Sequence, residues 1–361
     1  MNNNMEQEST KQLLLPIGGQ MISEQTFNLD EPEFVDDADM ADDPSVNEEG
    51  HPYFIEGPAS SYTYEDLQKM TIPVFAATNE LSLANTDIAK AVYSAAAKVF
   101  GLENLSPLEF RGSHLRKARI ISAHDLKEAP ENQEDNTTSY LERLACCFTV
   151  KNYARTICDQ PTDVCIGFIR SYHTTNLYSS KQPEKVSLFC ARRVRVCSNL
   201  ALSVSGLKEE IQVMSINDVY SASIDIMHSY LDHADEDNRI LEGLCRTRIS
   251  IPQFKILTGS LRYYMSLDPK SRKDLPEMDI QLGDAQCYEA CRLFINSRWG
   301  LKDGETSLDL YRLLQCYTEA AKNSYLHNFL SKQRSCYTLV QNLQRVLEGE
   351  TDNPYAWLLS A

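Results

Sequence analysis

One change of hydrophobic period divides this chain. Between residues 108 and 214, Val, Ile, Phe and Cys recur in short runs with stretches of alternation, whereas from Asn217 onward the apolar residues return every three or four positions. A period of two builds strands with two distinct faces, and a period near 3.6 builds helices with one apolar stripe. Runs at 108–123, 141–151, 164–172, 186–205 and 210–214 predict strands in series. The polar segments HDLKEAPENQEDNTT and HTTNLYSSKQPEK join them, which favours a mostly antiparallel sheet. Ahead of the sheet, TYEDLQKM predicts a short helix and TIPVFA an extended edge piece, because Pro73 cannot donate to a ladder. Asn85 or Thr86 caps a helix closed by Gly101. Behind the sheet, helices are predicted over 217–231, 237–245, 252–267, 284–297, from Thr306 or Ser307 to Lys322, and 333–347. The expected fold class is α+β: a mostly antiparallel sheet flanked by helices over 51–216, then a helical region over 217–361 that forms either a second domain or one unit with the sheet.

Charge adds a third region. Residues 1–50 hold 13 acidic residues and one base, Lys11, a balance of −12 out of −16 for the 361-residue chain. Such a segment buries too little apolar surface to offset its ordering, so a disordered acidic tail is expected at 1–50. It reads as a solubilising leader or as a polyanion that mimics nucleic acid and covers a basic groove. No run of apolar residues is long enough for a membrane-spanning helix, and the first residues lack the basic and apolar regions of a secretory leader. With 11 cysteines, an odd number, a reducing cytoplasmic setting is expected, with most thiols acting as small buried hydrophobes.

Two basic clusters are the candidate nucleic-acid-binding residues. Arg111, His114, Arg116, Lys117 and Arg119 fall within nine residues that contain no acid, and Arg192, Arg193 and Arg195 form a second cluster on a later strand, where Arg193 and Arg195 alternate with Val194 and Val196. That alternation predicts a half-buried strand with a basic outer face. If the strands are neighbours, the arginines form a stripe suited to phosphate, with Phe168, Tyr172 and Phe189 as stacking surfaces for single-stranded bases. Other constellations point elsewhere. Cys287 and Cys291 have half-site zinc spacing, and His228 with His233 would supply the other half, but the pairs lie far apart in reverse order. Asp225 and His228 share a helix face. Cys197 lacks a nearby His to act as its base. Tyr325 would serve as a nucleophile only inside an Arg/His cradle that the sequence does not place; Asn323 and Ser324 read as the end of one helix and the cap of the next. No phosphate-cradling Gly loop or metalloprotease motif occurs. No catalytic residue, metal site or cofactor is expected.

The segment GFIRSYHTTNLYSS, followed by the strand RVRVCSNLALSVSG, resembles the broader phage/plasmid-like protein group over roughly residues 164–206. RGSHLRKARI and SLDLYRLLQCYTEAAKNSYLHNFLSK extend a likeness over most of the chain after residue 50. That second likeness is to an uncharacterised domain-of-unknown-function family carried on mobile elements of gut anaerobic bacteria. The chain departs from the first group where an Asp-Gly turn would precede the Arg-Val strand: here the residues are His173-Thr174-Thr175-Asn176. Neither resemblance implies an activity; both imply a setting among genes that process, protect or defend DNA. The expectation is a non-enzymatic accessory protein that binds single-stranded nucleic acid through a basic sheet face. The alternative is an anti-restriction or anti-defence inhibitor that binds a host DNA-processing or defence protein with its DNA-mimicking tail.

Overall fold

The computed structural model describes residues 52–70, 83–113, 115–119, 137–171 and 184–360. The acidic segment at 1–50, the extended piece around Pro73, His114, Tyr172 and most of the two long polar loops lie outside the described residues. Alternation sets the sheet. In β5 (Arg143–Ile157), Leu144, Cys146, Phe148 and Val150 face one side and Ala145 and Cys147 the other, and all six are buried. Cys158 and Asp159, with φ of 50° and 59°, turn β5 into β6 (Gln160–Ser171). Two successive left-handed residues make the two-residue turn whose twist matches that of the strands. The seven-stranded sheet runs β1 (Ser60–Tyr62), β2 (Glu109–Gly112), β5, β6, β7 (Glu184–Val194), β8 (Leu200–Ala201), with β9 (Leu207–Val213) also on β7. Every pair is antiparallel, in line with the α+β expectation. Beyond β2 and β5 the same two segments continue as a separate two-stranded ribbon, β3 (Leu115–Arg119) and β4 (Thr137–Leu141).

Helices cover both faces of the sheet. On one side, α2 (Asn85–Phe100) and α3 (Ile216–Leu244) bury Ile88, Val92, Ala95, Ile226 and Met227 against Phe148, Ile166 and Leu188. On the other, Phe54, Ile55 and three residues of α7 (Leu326–Leu347), Leu326, Phe329 and Leu330, pack on Cys147, Cys165, Phe189 and Ala191. A third cluster joins α4 (Ile251–Ser266), α5 (Asp284–Asn296), α6 (Leu310–Ala321), α7 and the 3-10 helix Pro354–Leu359 to Ile157 and Val194 at the end of the sheet. Within it Phe254 and Phe294 stack at 3.7 Å. The short helix α1 (Tyr64–Lys69) is closed by a capping box between Thr63 and Asp66. The described residues fall in one compact unit, Asp43–Ala361; Met1–Asp42, the other unit, lies outside them.

The structure departs from the periodic reading where local chemistry overrides it. The 186–205 run is two strands, because the chain reverses after Val194: Ser198 adopts φ 56° and β8 folds back beside Arg192 and Arg193. The two helices predicted at 217–231 and 237–245 are one, α3, since Asp232, His233, Asp235 and Glu236 lie on its exposed side and no Gly or Pro interrupts that stretch. Ser307–Asp309 pairs with Arg248–Ser250, so Asp309, not Thr306 or Ser307, caps α6. β7 is buried on both faces rather than half-buried. Cys158 and Cys245 form a disulfide with Cα atoms 5.8 Å apart, tying the β5–β6 turn to the end of α3; the other nine cysteines are free and all but Cys291 are buried. That pair is the exception to the expectation that most cysteines act as buried small hydrophobes, because the turn brings together two residues 87 apart in sequence.

Candidate functional site

Three of the eight predicted arginine-cluster residues lie inside the protein. Arg111 is 5% exposed; its Nε donates to the Ile55 carbonyl at 3.1 Å, its other nitrogens donate to Ala59 O at 2.8 Å and Ser61 Oγ at 2.7 Å, and its guanidinium lies over the Tyr53 ring at 4.0 Å. Arg193, 7% exposed, pairs with Glu109 at 2.9 Å and donates to Ser198 Oγ at 2.8 Å and the Pro52 carbonyl at 3.5 Å. Both reach from the same sheet face to the segment 52–59, so what resembled a phosphate-binding stripe holds the chain's own backbone. Arg192 points to the opposite face, where Nε donates to Asn238 Oδ1 at 3.1 Å and a second nitrogen to the Tyr153 carbonyl at 2.5 Å. Burial lowers the pKa of Arg111, with Tyr53 and Glu109 opposing. Burial is also the largest single influence on Arg193 and works against its charge, but Glu109 together with the Cys147 and Cys165 thiols outweighs it and the pKa is raised. Phe168 and Phe189, read as stacking surfaces, are 0% exposed.

The remaining cations are placed differently. Arg195 is half exposed and gripped by Asp163, with both bonds at 2.7 Å, and that pairing raises its pKa. Arg116, Lys117 and Arg119 lie on β3, opposite Tyr140, Ser139 and Thr137 of β4 in register. The ribbon's ten residues, LRKAR and TTSYL, contain three cations and no acid, and Leu115 is 52% exposed. His114 lies outside the described residues. The two sequence clusters therefore do not form one surface: Arg111, Arg192 and Arg193 are internal, while Arg116, Lys117 and Arg119 belong to the ribbon.

The other candidates separate. Cys287 and Cys291 sit on α5, Cys287 within the helical core, while His228 and His233 sit on α3, where His233 Nδ1 lies 2.8 Å from the Ser229 carbonyl. Among the described residues no cluster of three or more His, Cys, Asp and Glu is placed to hold a metal ion. Asp225 pairs with Lys208 at 3.7 Å on an exposed surface. Burial pushes the Cys197 thiol up to about 11, although Lys322 opposes, which is unsuited to a thiolate nucleophile. Asn199 donates to the carbonyl and side chain of Gln315. Tyr325 does have basic neighbours: the Arg143 guanidinium lies 6.0 Å from its ring centre, and the His327 ring is near-parallel to it, 19° off, at 5.9 Å.

A cleft of about 400 Å³ lies beside Tyr325, between the ends of β6, β7 and β9 and the first two turns of α7. Lys185 and Glu210 pair at 2.7 Å in its wall, and Ser187 Oγ accepts from the Glu210 backbone N–H at 3.0 Å. Sequence reasoning missed this place. Its residues come from four separated segments, and the one available signal was the polar turn between two helical periods at Asn323–Tyr325. Among the described residues no helix is long and apolar enough to cross a membrane.

A family described as a domain of unknown function, B. Theta Gene description (DUF3871), matches residues 34–359, and the chain belongs to that family. No curated protein and no solved structure matches it.

Proposed function

We propose that this protein is a non-enzymatic, nucleic-acid-associated accessory protein of a mobile genetic element, which contacts a phosphate backbone through the β3–β4 ribbon. The observation that carries the reading is the ribbon itself: three cations on one strand, hydroxyl-bearing Thr137, Thr138, Ser139 and Tyr140 on the other, and no acid on either. Arginine and hydroxyl donors suit phosphate oxygens, and Tyr140 opposite Arg116 supports a single strand as the preferred ligand. The mobile-element setting is supported by the phage/plasmid-like likeness over roughly 164–206.

The test is an anisotropy titration with single- and double-stranded oligonucleotides at 50 and 200 mM salt. It uses the full chain, a chain beginning at His51, and the triple variant Arg116→Ala, Lys117→Ala, Arg119→Ala. Neutralising about three phosphates gives a logarithmic salt slope of roughly −2 on single strands. The triple variant is expected to lose about tenfold or more, and the shortened chain to bind more tightly if the −12 segment competes for the ribbon. Equal binding by the triple variant, or binding insensitive to salt, overturns the reading. A second reading is favoured by the −12 balance of residues 1–50: an anti-restriction or anti-defence inhibitor that binds a host DNA-processing protein. It expects no oligonucleotide binding and co-elution with a nuclease, lost when residues 1–50 are removed.

A further inference from the structure

The cleft beside α7 has three properties that together select a ligand. First, it is electrically balanced. Its two carboxylates are already paired, Glu210 with Lys185 at 2.7 Å and Glu209 with Arg334 at 2.8 Å, so an ionic ligand finds no surplus charge. Second, its lining combines apolar Ile169, Leu326 and Leu330 with side chains that both donate and accept, among them Ser187, Asn328 and Ser331. Small-molecule sites have this composition, an apolar body and a few polar groups that fix orientation. Third, the Tyr325 ring is 58% exposed and lies near-parallel to His327, which itself lines the cleft. The ring belongs to the residue just before the cleft-lining Leu326, with the Arg143 guanidinium 6.0 Å from its centre, and a large ring left in water is a stacking surface for a flat ligand.

The backbone marks the same place. Glu210 adopts φ 46° in β9, next to the register shift between Val186 and Leu188 of β7. A non-glycine residue in the left-handed region is strained, and strain of this kind gathers at ligand sites. At a bulge it re-aims a side chain, here the carboxylate that meets Lys185 in the cleft wall. At about 400 Å³, near the lower end for ligand pockets, the cleft has room for one planar heterocycle with its sugar and not for a stacked pair.

We propose that this cleft holds a single unpaired nucleobase, stacked on Tyr325 with its polar edge against the β7–β9 wall. The proposal rests on the nucleic-acid reading for the source of the base; a free nucleoside carries the same chemistry. The test uses the full chain. An oligonucleotide with one 2-aminopurine reports stacking by loss of emission, and free adenosine is followed by saturation-transfer NMR. The variants are Tyr325→Ala, an exposed truncation, and Ser331→Phe, which fills the cleft; circular dichroism checks their fold. Emission from the bound oligonucleotide is expected to fall several-fold with the unaltered protein and to recover in both variants, while the ribbon triple variant lowers affinity without changing emission at saturation. If the strand binds but emission is unchanged and adenosine shows no transfer, the cleft proposal is overturned and the nucleic-acid reading stands. If no strand binds but adenosine shows transfer that Tyr325→Ala abolishes, the cleft holds a free nucleoside and the nucleic-acid reading falls. Absence of both signals overturns both.

Discussion

Arg193 carries its charge inside the protein, within 2.9 Å of Glu109, and Glu109 in turn accepts from the Phe54 backbone N–H at 3.2 Å. Removing one partner of a buried pair leaves the other charge unpaired, so Arg193→Ala is expected to cost about 3–5 kcal/mol in urea unfolding. Replacing both partners, as Arg193→Met with Glu109→Leu, is expected to recover most of that; a double variant no better than the single would show that the pair matters for reasons other than its charge. Sequence could not make this distinction. An Arg-Val alternation looks the same whether the arginine side faces water or lies under a segment more than a hundred residues away, as Arg193 lies beneath Pro52. Gly167 is a simpler case. A Cβ there would come within 2.1 Å of the Cys146 carbonyl oxygen and 2.6 Å of the Phe189 ring, so Gly167→Ala is expected to destabilise strongly, by several kcal/mol. Glu305 gives a pH signature. The Lys302 backbone N–H, with Arg312 and Arg248 beside it, pulls its carboxyl down to about 2. A folded value below the unfolded one means stabilisation that is present above about pH 4.5 and is lost as pH falls through about 2. The melting-temperature deficit of Glu305→Gln is therefore expected to shrink between pH 6 and pH 2.5; a constant deficit contradicts the assignment.

At the scale of elements, period was a sound guide to type and a poor one to ends. The helices expected at 252–267 and 284–297 agree closely with Ile251–Ser266 and Asp284–Asn296, because Ser250 with Gln253 closes a capping box on the first and apolar spacing marks both. The misjudged ends share a cause. Polar residues that signal a stop in isolation, such as Asp232 and His233 in α3, are tolerated when they fall on the solvent side. Conversely, Ser307 is drawn into a strand by its partner Ser250, which no local pattern announces. The disulfide was hidden for a similar reason: only the Cys158-Asp159 turn, formed when β5 and β6 zip together, brings Cys158 to Cys245. Because it closes a loop of 87 residues, chain-entropy reasoning gives it about 4.6 kcal/mol. Cys158→Ser is expected to lower the urea midpoint by a corresponding amount, and reductant is expected to bring the unaltered protein to the same midpoint. Free thiol counting gives the independent check: nine reactive thiols in denaturant without reductant and 11 with it.

Across the whole molecule, the segment 52–59 is what turns a sheet with two candidate basic clusters into a three-layered body. Phe54 and Ile55 are 0% exposed against Phe189 and Phe329, the Glu56 and Gly57 N–H groups donate to the Lys322 carbonyl between α6 and α7, and Arg111 and Arg193 hold its carbonyls from below. Lys322, 0% exposed, reaches the Cys197 carbonyl and lies 3.4 Å from Glu56. The strap thus joins the sheet to the helical layer, and its removal would expose two large apolar side chains, leave the Arg193–Glu109 pair open to water and strip Arg111 of its carbonyl acceptors. A chain beginning at His51 is expected to unfold cooperatively with the full chain's midpoint, whereas one beginning at Ser60 is expected to lose cooperativity or aggregate. The comparison also separates two meanings of basic charge. If the arginines under the strap were a nucleic-acid surface in waiting, the shorter chain, if folded, would bind oligonucleotide more tightly than the longer one in a way that needs Arg111 and Arg193. If they are ties, it gains no such affinity, and whatever binding the protein has follows Arg116, Lys117 and Arg119 on the ribbon.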